Sequence, residues 1–242
     1  MFDLFTFGEA LAVFISTDTD SVLTAKKFER VTAGAEANVA VAISRLGLKA
    51  RFFTKVGDDQ IGKSILADIA AEKVEVADCS IGNSFSGSMV RNPGTQNKVE
   101  VNYLRKGSAA SLINESDISQ EFIENAKWLH TTGITCAISE SAAGAVSYAQ
   151  KVARTKKIPQ SFDLNLRRKI WSEAQAAKTL FPLAQNVDLL IGGEDEYQVV
   201  FNESDSEKAL QLANKRGCKI AVMTKGDQPM RYAIDGKISQ LI

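Results

Sequence analysis

The residues Ala33-Gly34-Ala35, with Asn38 one helical turn further on, form the strongest candidate for ligand chemistry. A glycine leaves the first backbone N–H groups of a helix uncapped, and these groups suit a polar or anionic ligand. Gly34 has no Cβ, so a ligand can approach the backbone closely, and the Asn38 amide offers a donor and an acceptor. A plain tight turn into a buried helix at Glu36–Leu46 is the alternative.

Tyr103 and Arg105 form a second candidate, at the end of a predicted hairpin. Strands at Ser88–Val90 and Lys98–Arg105 flank a turn at Asn92-Pro93-Gly94. The two side chains share one face of the second strand, and an arginine can bind a carboxylate through two charge-assisted hydrogen bonds. A surface hairpin that ends in a solvated tyrosine and arginine is the alternative.

Asp163, Asn165 and Arg167 form a third candidate. They alternate by two after an apolar run, so an extended chain would direct them to the same face at a strand end. Open α/β sheets bind ligands beyond the carboxyl ends of their strands. A solvated strand end followed by a helix cap would explain the same pattern.

Strands and helices alternate along the second half of the chain. This spacing predicts an α/β fold with a largely parallel sheet and helices on both faces. The predicted strands are Trp128–Gly133, Ile158–Leu164, Val187–Ile191 and Ile220–Thr224, and the helices are Ser139–Lys156, Trp171–Leu183 and Ser206–Arg216. In the first half, strands at Leu4–Phe7 and Ala50–Val56 and a helix at Gly62–Lys73 are predicted. We expect one domain over residues 1–242.

The composition excludes several classes of protein. Lysine plus arginine equals aspartate plus glutamate, 29 each, so no net field favours nucleic acid or a membrane surface. The three cysteines are far apart and suit a reduced compartment, and no signal peptide or long apolar run is present, so we expect a cytoplasmic protein. The single histidine, His130, is expected to be structural. Gly8-Glu9 lacks the glycine triplet of a nicotinamide dehydrogenase.

The run A-G-A-x-A-N-x-A from Ala33, followed by Gly47 and then Gly57, resembles the N-terminal signature of the ribokinase-like (PfkB-type) sugar kinases. That resemblance implies a ribokinase-like α/β fold, with helices on both sides of a mostly parallel sheet and a small β-sheet lid. Residues of about 11–32 and 86–107 would form the lid. It also implies ATP and Mg²⁺ as cofactors, and often a homodimer through the lid.

The resemblance assigns roles to the candidate residues. Gly34 and Asn38 would hold sugar hydroxyls, and Tyr103, Arg105 and Arg167 would hold a carboxylate from two sides. The run Lys106–Ala110 looks like the 2-keto-3-deoxygluconate kinase branch of the family, although Met89 stands where that branch tends to have a polar aromatic residue.

The nucleotide side is also assigned by resemblance. Asn165 would lie at the junction of sugar and phosphates, and Glu196 would organise Mg²⁺ through water, although Gly193 replaces the family's asparagine. Thr224 and Gly226 would contact the nucleotide, with Gln228-Pro229-Met230 in place of a second glycine.

The family's Gly-Ala-Gly-Asp turn, which supplies an anion hole and the catalytic base, does not occur in this sequence. We therefore predict no catalytic residue within the chain, and expect the aspartate beyond Ile242 in a longer kinase. The predicted activity is ATP-dependent phosphorylation of a sugar acid, 2-keto-3-deoxygluconate, at its primary hydroxyl. The alternatives are a fructokinase or other neutral-sugar kinase, and a sugar-binding relative without catalysis.

Overall fold

The structure is a computed structural model that describes residues 1–94 and 99–241. The chain divides into two compact units, Phe2–Ile113 and Asn114–Ile242, the latter including Met1. Within the described ranges, no helix is both long enough and apolar enough to span a bilayer.

Over its described residues, the first unit contains three sets of paired strands, two α-helices and a short 3₁₀ helix at Ala109–Leu112. Strands β1 and β4 pair in parallel, β5 and β6 pair in parallel, and a separate four-stranded sheet has the order β3-β2-β7-β8. We call this four-stranded sheet the small sheet. The elements are β1 (Leu4–Phe7), β2 (Leu11–Ser16), β3 (Phe28–Ala33), α1 (Ala35–Arg45), β4 (Ala50–Phe53), β5 (Lys55–Gly57), α2 (Gln60–Ala71), β6 (Ser80–Gly82), β7 (Ser88–Arg91) and β8 (Val101–Leu104).

The small sheet follows the hairpin that the sequence predicts. Strands β7 and β8 pair antiparallel, with Met89 opposite Tyr103, and Lys98 of the predicted second strand lies outside the described residues. Along β8, Val101 and Tyr103 are half-buried, whereas Asn102 and Leu104 are exposed. The alternation that the period of two predicts is therefore present, and the face that carries Tyr103 is the more buried one.

The second unit is built on a six-stranded sheet. Its order is β9-β10-β11-β12-β13-β14, parallel from β9 to β12 and antiparallel from there on. The elements are α3 (Gln120–Glu124), β9 (Leu129–Thr132), α4 (Gly133–Ile138), α5 (Glu140–Lys156), β10 (Gln160–Asp163), α6 (Glu173–Leu183), β11 (Leu189–Gly193), α7 (Glu194–Phe201), α8 (Ser206–Lys215), β12 (Ile220–Lys225), β13 (Gln228–Ile234) and β14 (Lys237–Leu241).

Local signals explain the helix boundaries in this unit. Ser139 caps α5 by accepting a hydrogen bond from the backbone N–H of Ala142. Ser172 and Gln175 form a capping box at the start of α6. Such caps satisfy N–H groups that have no partner inside the helix.

His130 belongs to the core of the second unit. The hydroxyl of Ser161 lies 2.8 Å from its Nδ1 and accepts a hydrogen bond of 2.9 Å from the Trp128 indole. Burial lowers the pKa of His130 to about 4, so the ring is neutral at pH 7. A neutral ring in this packed position is structural, in agreement with the sequence interpretation.

Candidate functional site

Gly34 is the N-cap of α1, and no side chain caps this helix start. A Cβ at Gly34 would lie 2.6 Å from the backbone oxygen of Glu9 and 3.2 Å from the Cα of Ala10. The φ of 168° is extended backbone that any residue adopts, so close packing is what requires glycine here. The uncapped helix start predicted from the sequence is therefore present, and it lies against the loop between β1 and β2.

Asn38 is exposed and lines a cavity of about 770 Å³ together with Arg30, Thr32 and Asp68. Arg30 and Asp68 form an ion pair of 2.7 Å in this cavity, and the Thr32 hydroxyl donates a 2.6 Å hydrogen bond to Asp68. Gly34 and Asn38, which the sequence groups together, therefore contact different neighbours.

The turn from Gly57 to Gly62, which contains Asp58 and Asp59, connects α2 to the small sheet. Asp59 caps α2 by accepting a 2.6 Å bond from the Gly62 N–H, and it also accepts bonds of 2.8 Å from the backbone and hydroxyl of Ser86. Burial alone would raise the pKa of Asp59, but these hydrogen bonds lower it overall. Asp59 thereby fixes the chain that leads into β7 of the small sheet.

Arg105 follows β8 and forms an ion pair with Glu9. The side chains are 12% and 2% exposed, and the guanidinium carbon lies 5.5 Å from the centre of the Tyr103 ring. The Ser108 hydroxyl donates a 2.6 Å hydrogen bond to Glu9. Burial raises the pKa of Glu9, while Arg105 and Ser108 oppose that rise.

Sequence reasoning missed Glu9 as a partner of Arg105. The signal that could have identified it is a charged residue between two apolar runs, Leu4–Phe7 and Ala10–Val13. Such a residue needs a buried counter-charge. Gly34 packs on its backbone, so the predicted residues Gly34 and Arg105 both adjoin Glu9.

In the second unit, β10 ends at Asp163, and the chain then turns. Asn165 has a φ of 36°, and its backbone N–H donates a 3.2 Å hydrogen bond to the Asp163 carboxylate. The prediction that Asp163, Asn165 and Arg167 alternate along an extended strand is therefore wrong, because a left-handed residue breaks the period of two. Asn165 is buried, whereas Arg167 is exposed.

Glu196 holds this turn in place. One carboxylate oxygen accepts a 2.6 Å bond from the Leu166 N–H, and the other accepts a 2.7 Å bond from the Gly193 N–H. Burial, and then the negative charge of Glu196, raises the pKa of Asp163 to about 6. Two acidic groups are thus kept close together after two neighbouring parallel strands.

A cavity of about 520 Å³ lies at this edge of the sheet and brings together Arg167 and three of the residues predicted to bind nucleotide, Glu196, Thr224 and Gly226. Gly226 has a φ of 55°, and no atom lies within 4 Å of where its Cβ would be. Arg167, predicted to hold the sugar carboxylate, therefore lines the same cavity as predicted nucleotide residues.

Two cations at this cavity were missed by the sequence reasoning. Arg168 pairs with Asp195 at 2.5 Å, and Lys225 pairs with Glu194 at 2.7 Å. In the sequence, Arg168 follows Arg167, and Lys225 lies between Thr224 and Gly226, so their position next to predicted site residues could have identified them. Each of these cations is paired with a carboxylate of the same cavity, so its positive charge is partly offset before an anionic ligand such as a polyphosphate binds.

The residues after β10 and β11 offer oxygen donors that suit Mg²⁺. The side-chain oxygen of Asn165 is buried and has no hydrogen-bond partner within the described part of the chain. The carboxylates of Asp163 and Glu196 lie beside it in the same region. Mg²⁺ is typically held by one or two carboxylates together with waters and phosphate oxygens, and these donors fit that pattern.

A parallel sheet with polar groups at its strand ends, and a separate small sheet that carries Tyr103, are the combination that the resemblance to an α/β carbohydrate kinase predicts. The chain belongs to the pfkB family of carbohydrate kinases, whose family model matches residues 1–241. The resemblance predicted from the sequence is therefore confirmed.

Among curated relatives, the 2-dehydro-3-deoxygluconokinase of Bacillus subtilis is 29% identical over 93% of this chain and 71% of its own length. The enzyme of the same name from Thermoproteus tenax is 30% identical, over 93% of this chain and 70% of its own length. Probable fructokinase-7 of Arabidopsis thaliana is 29% identical, over 93% and 67% respectively. The relatives therefore define a sugar kinase without fixing one sugar.

The solved structures agree on the fold. The 2-dehydro-3-deoxygluconokinase of Thermotoga maritima superposes with a TM-score of 0.91 at 25% identity, covering 99% of this chain and 79% of that chain. A putative ribokinase II from E. coli in complex with ATP and Mg²⁺ superposes with a TM-score of 0.90 at 19% identity, covering 100% and 78%. The predicted ribokinase-like α/β fold is confirmed.

Proposed function

We propose that this kinase uses ATP to phosphorylate a sugar acid, 2-keto-3-deoxygluconate, at its primary hydroxyl. The observation that carries the proposal is the largely buried Arg105 beside Tyr103 in the first unit. A neutral sugar needs only hydroxyl partners, whereas a guanidinium in such a place gains most from a carboxylate. The relatives named for 2-dehydro-3-deoxygluconate support the same choice.

In the second unit, the proposal assigns the 520 Å³ cavity to the phosphates of ATP. Arg167 would bind negative charge that enters this cavity, and Thr224 and Gly226 would contact the nucleotide. Asn165 and Asp163 would hold Mg²⁺ together with waters, Glu196 would act on the ion only through water, and the ion would neutralise phosphate charge. In this reading, Glu196 acts mainly by holding the turn that carries Asn165.

In the first unit, Gly34 and Asn38 would bind hydroxyl groups of the sugar. The uncapped start of α1 at Gly34, which lies beside Glu9, supports this role for Gly34. Asn38 would bind a hydroxyl from the cavity that it lines together with Arg30 and Asp68.

We also propose a cytoplasmic homodimer that forms through the small sheet. The exposed apolar side chains of Phe28 and Leu104, 41% and 60% exposed, lie on its two outer strands and support such a contact. The three free cysteines suit a reducing compartment. Light scattering on the wild type and on Leu104→Lys tests the dimer, which the lysine should dissociate.

The experiment for the sugar is a calorimetric titration of the purified chain with 2-keto-3-deoxygluconate and with fructose. Arg105→Ala should weaken binding of the acid about thirtyfold or more, because a buried charge-assisted bond is lost, and should change fructose binding much less. Arg216→Ala is the matched control, since Arg216 is an exposed arginine of the second unit that rests against the Phe181 ring. Equal effects of both variants on the acid would contradict the proposal.

A fructokinase is the second candidate, and one observation favours it. Arg105 already has a counter-charge in Glu9, so the pair carries no net positive charge toward a ligand. Plant fructokinases are also among the relatives. Tighter binding of fructose than of the acid by the wild type would establish this alternative.

A further inference from the structure

The carboxylate of Glu9 is enclosed on several sides. It is 2% exposed, pairs with Arg105, and accepts a 2.6 Å hydrogen bond from the Ser108 hydroxyl. A Cβ at Gly87 would lie 2.4 Å from the same carboxylate, and a Cβ at Gly34 would lie 2.6 Å from the Glu9 backbone oxygen. Glycine at both positions therefore leaves room for Glu9 in one defined place.

Arg105 is held by Glu9 without using all its donors. Its Nε–H is buried and has no hydrogen-bond partner among the described residues, although the guanidinium has five N–H donors. The Arg105 side chain keeps 12% of its surface exposed, whereas the Glu9 side chain keeps 2%. The exposed part of the Arg105 side chain, rather than its buried Nε–H, is therefore what a ligand can reach, whereas Glu9 is almost fully enclosed.

We propose that Glu9 positions Arg105 and sets the preference of the site between acidic and neutral sugars. This inference rests on the proposed function, because it assumes that the sugar contacts Arg105. Glu9 fixes the orientation of the guanidinium, and its negative charge also limits the attraction of Arg105 for a second carboxylate. The affinity for a sugar acid is therefore lower than Arg105 would give without Glu9.

Proton uptake follows from the same arrangement. Arg105 is the charged group that acts on Glu9 within the described residues, and Ser108 is its other polar partner. A ligand carboxylate that shares Arg105 brings a second negative charge close to a buried one. Burial already raises the pKa of Glu9, and the ligand should raise it further, so the complex should bind a proton more tightly than the free protein.

The test is a calorimetric titration of the wild type and Glu9→Gln with 2-keto-3-deoxygluconate and with fructose. Glutamine keeps both contacts, since its amide oxygen can accept from Arg105 and its amide nitrogen can donate to Ser108. Removing the competing charge should raise affinity for the acid about fivefold or more, with little change for fructose. Glu124→Gln, at the surface pair with Lys156 in the second unit, is the matched control and should change neither.

Two further measurements separate positioning from a general structural effect. In an Arg105→Ala background, Glu9→Gln should no longer alter affinity for the acid, because Glu9 acts through Arg105. In the wild type, titration with the acid in two buffers of different ionisation enthalpy should show proton uptake, and affinity should fall as the pH rises. The measurement of proton uptake needs no variant, so it tests the role of Glu9 even if Glu9→Gln does not fold.

Unchanged affinity of a folded Glu9→Gln for the acid would overturn the inference, as would the absence of proton uptake by a wild type that binds the acid. Both of these results would leave the sugar-acid kinase intact. A wild type that binds neither sugar would overturn the proposed function and this inference together.

Discussion

Replacing Gly34 by alanine tests the close packing at the start of α1. The new Cβ would lie 2.6 Å from the Glu9 backbone oxygen, whereas ordinary contact begins at 3.4 Å, so one backbone segment must move by about 0.8 Å. The extended φ is open to alanine, and the whole cost is therefore steric. We expect a loss of about 2 kcal/mol in the free energy of unfolding, which corresponds to a melting temperature lower by about 4–8 °C.

Gly82→Ala is the matched control for this variant. Gly82 ends β6 in the same unit, and no atom lies within 4 Å of where its Cβ would be. Alanine there should leave stability unchanged or raise it slightly, because it reduces the entropy of the unfolded chain.

Urea unfolding followed by far-ultraviolet circular dichroism measures both variants. Gly34→Ala should also weaken binding of the sugar acid, since the clash displaces the backbone of the residue that holds Arg105. If Gly34→Ala proves as stable as Gly82→Ala, the close contact with Glu9 is refuted as the reason for glycine.

Three other predictions concern buried charges. Arg105→Ala should lower the free energy of unfolding by about 3–5 kcal/mol in a urea titration, because Glu9 is left buried without its cation; adding Glu9→Gln should recover part of that loss. Glu196→Ala should cost about 2 kcal/mol or more in the same assay, because two backbone N–H groups lose their acceptor, and Glu196→Gln should cost less. The folded pKa of Asp163 is raised from 3.8 to about 6, so the folded protein binds this proton more tightly than the unfolded chain, and stability should fall as the pH rises across that window; melting curves of Asp163→Asn should lack this fall.

Each of these predictions has a distinct contrary result. An Arg105→Ala variant as stable as the wild type would mean that Glu9 is not a buried, ionised partner. Equal losses for Glu196→Ala and Glu196→Gln would show that hydrogen-bond acceptance is not what Glu196 contributes. Parallel pH curves for the wild type and Asp163→Asn would rule out an elevated pKa at Asp163.

The sequence predicted features that depend on near neighbours. Helix α1 was predicted as Glu36–Leu46 and is observed as Ala35–Arg45, because a glycine precedes it and another follows it. The period of two likewise predicted that Tyr103 and Leu104 lie on opposite faces of β8. These signals lie within one element, so a single sequence reveals them.

Two features of the candidate site could not be predicted from patterns within one element. The turn at Asn165 depends on a left-handed φ held by Glu196, which belongs to another element, and letter spacing alone favoured a continuing strand. Glu9 has partners that are distant in sequence, with Ser108 99 residues away. Only the folded backbone brings such residues together.

Both tryptophans of the chain, Trp128 and Trp171, belong to the unit Asn114–Ile242, and the Trp128 indole is bonded to the core residue Ser161. The intrinsic emission of this protein is thus a spectroscopic reporter for one half of the chain. A denaturation curve recorded by tryptophan fluorescence follows the six-stranded sheet of the second unit, whereas the half that contains Gly34 and Arg105 has no tryptophan. A single tryptophan introduced into that half would give each unit an independent optical readout.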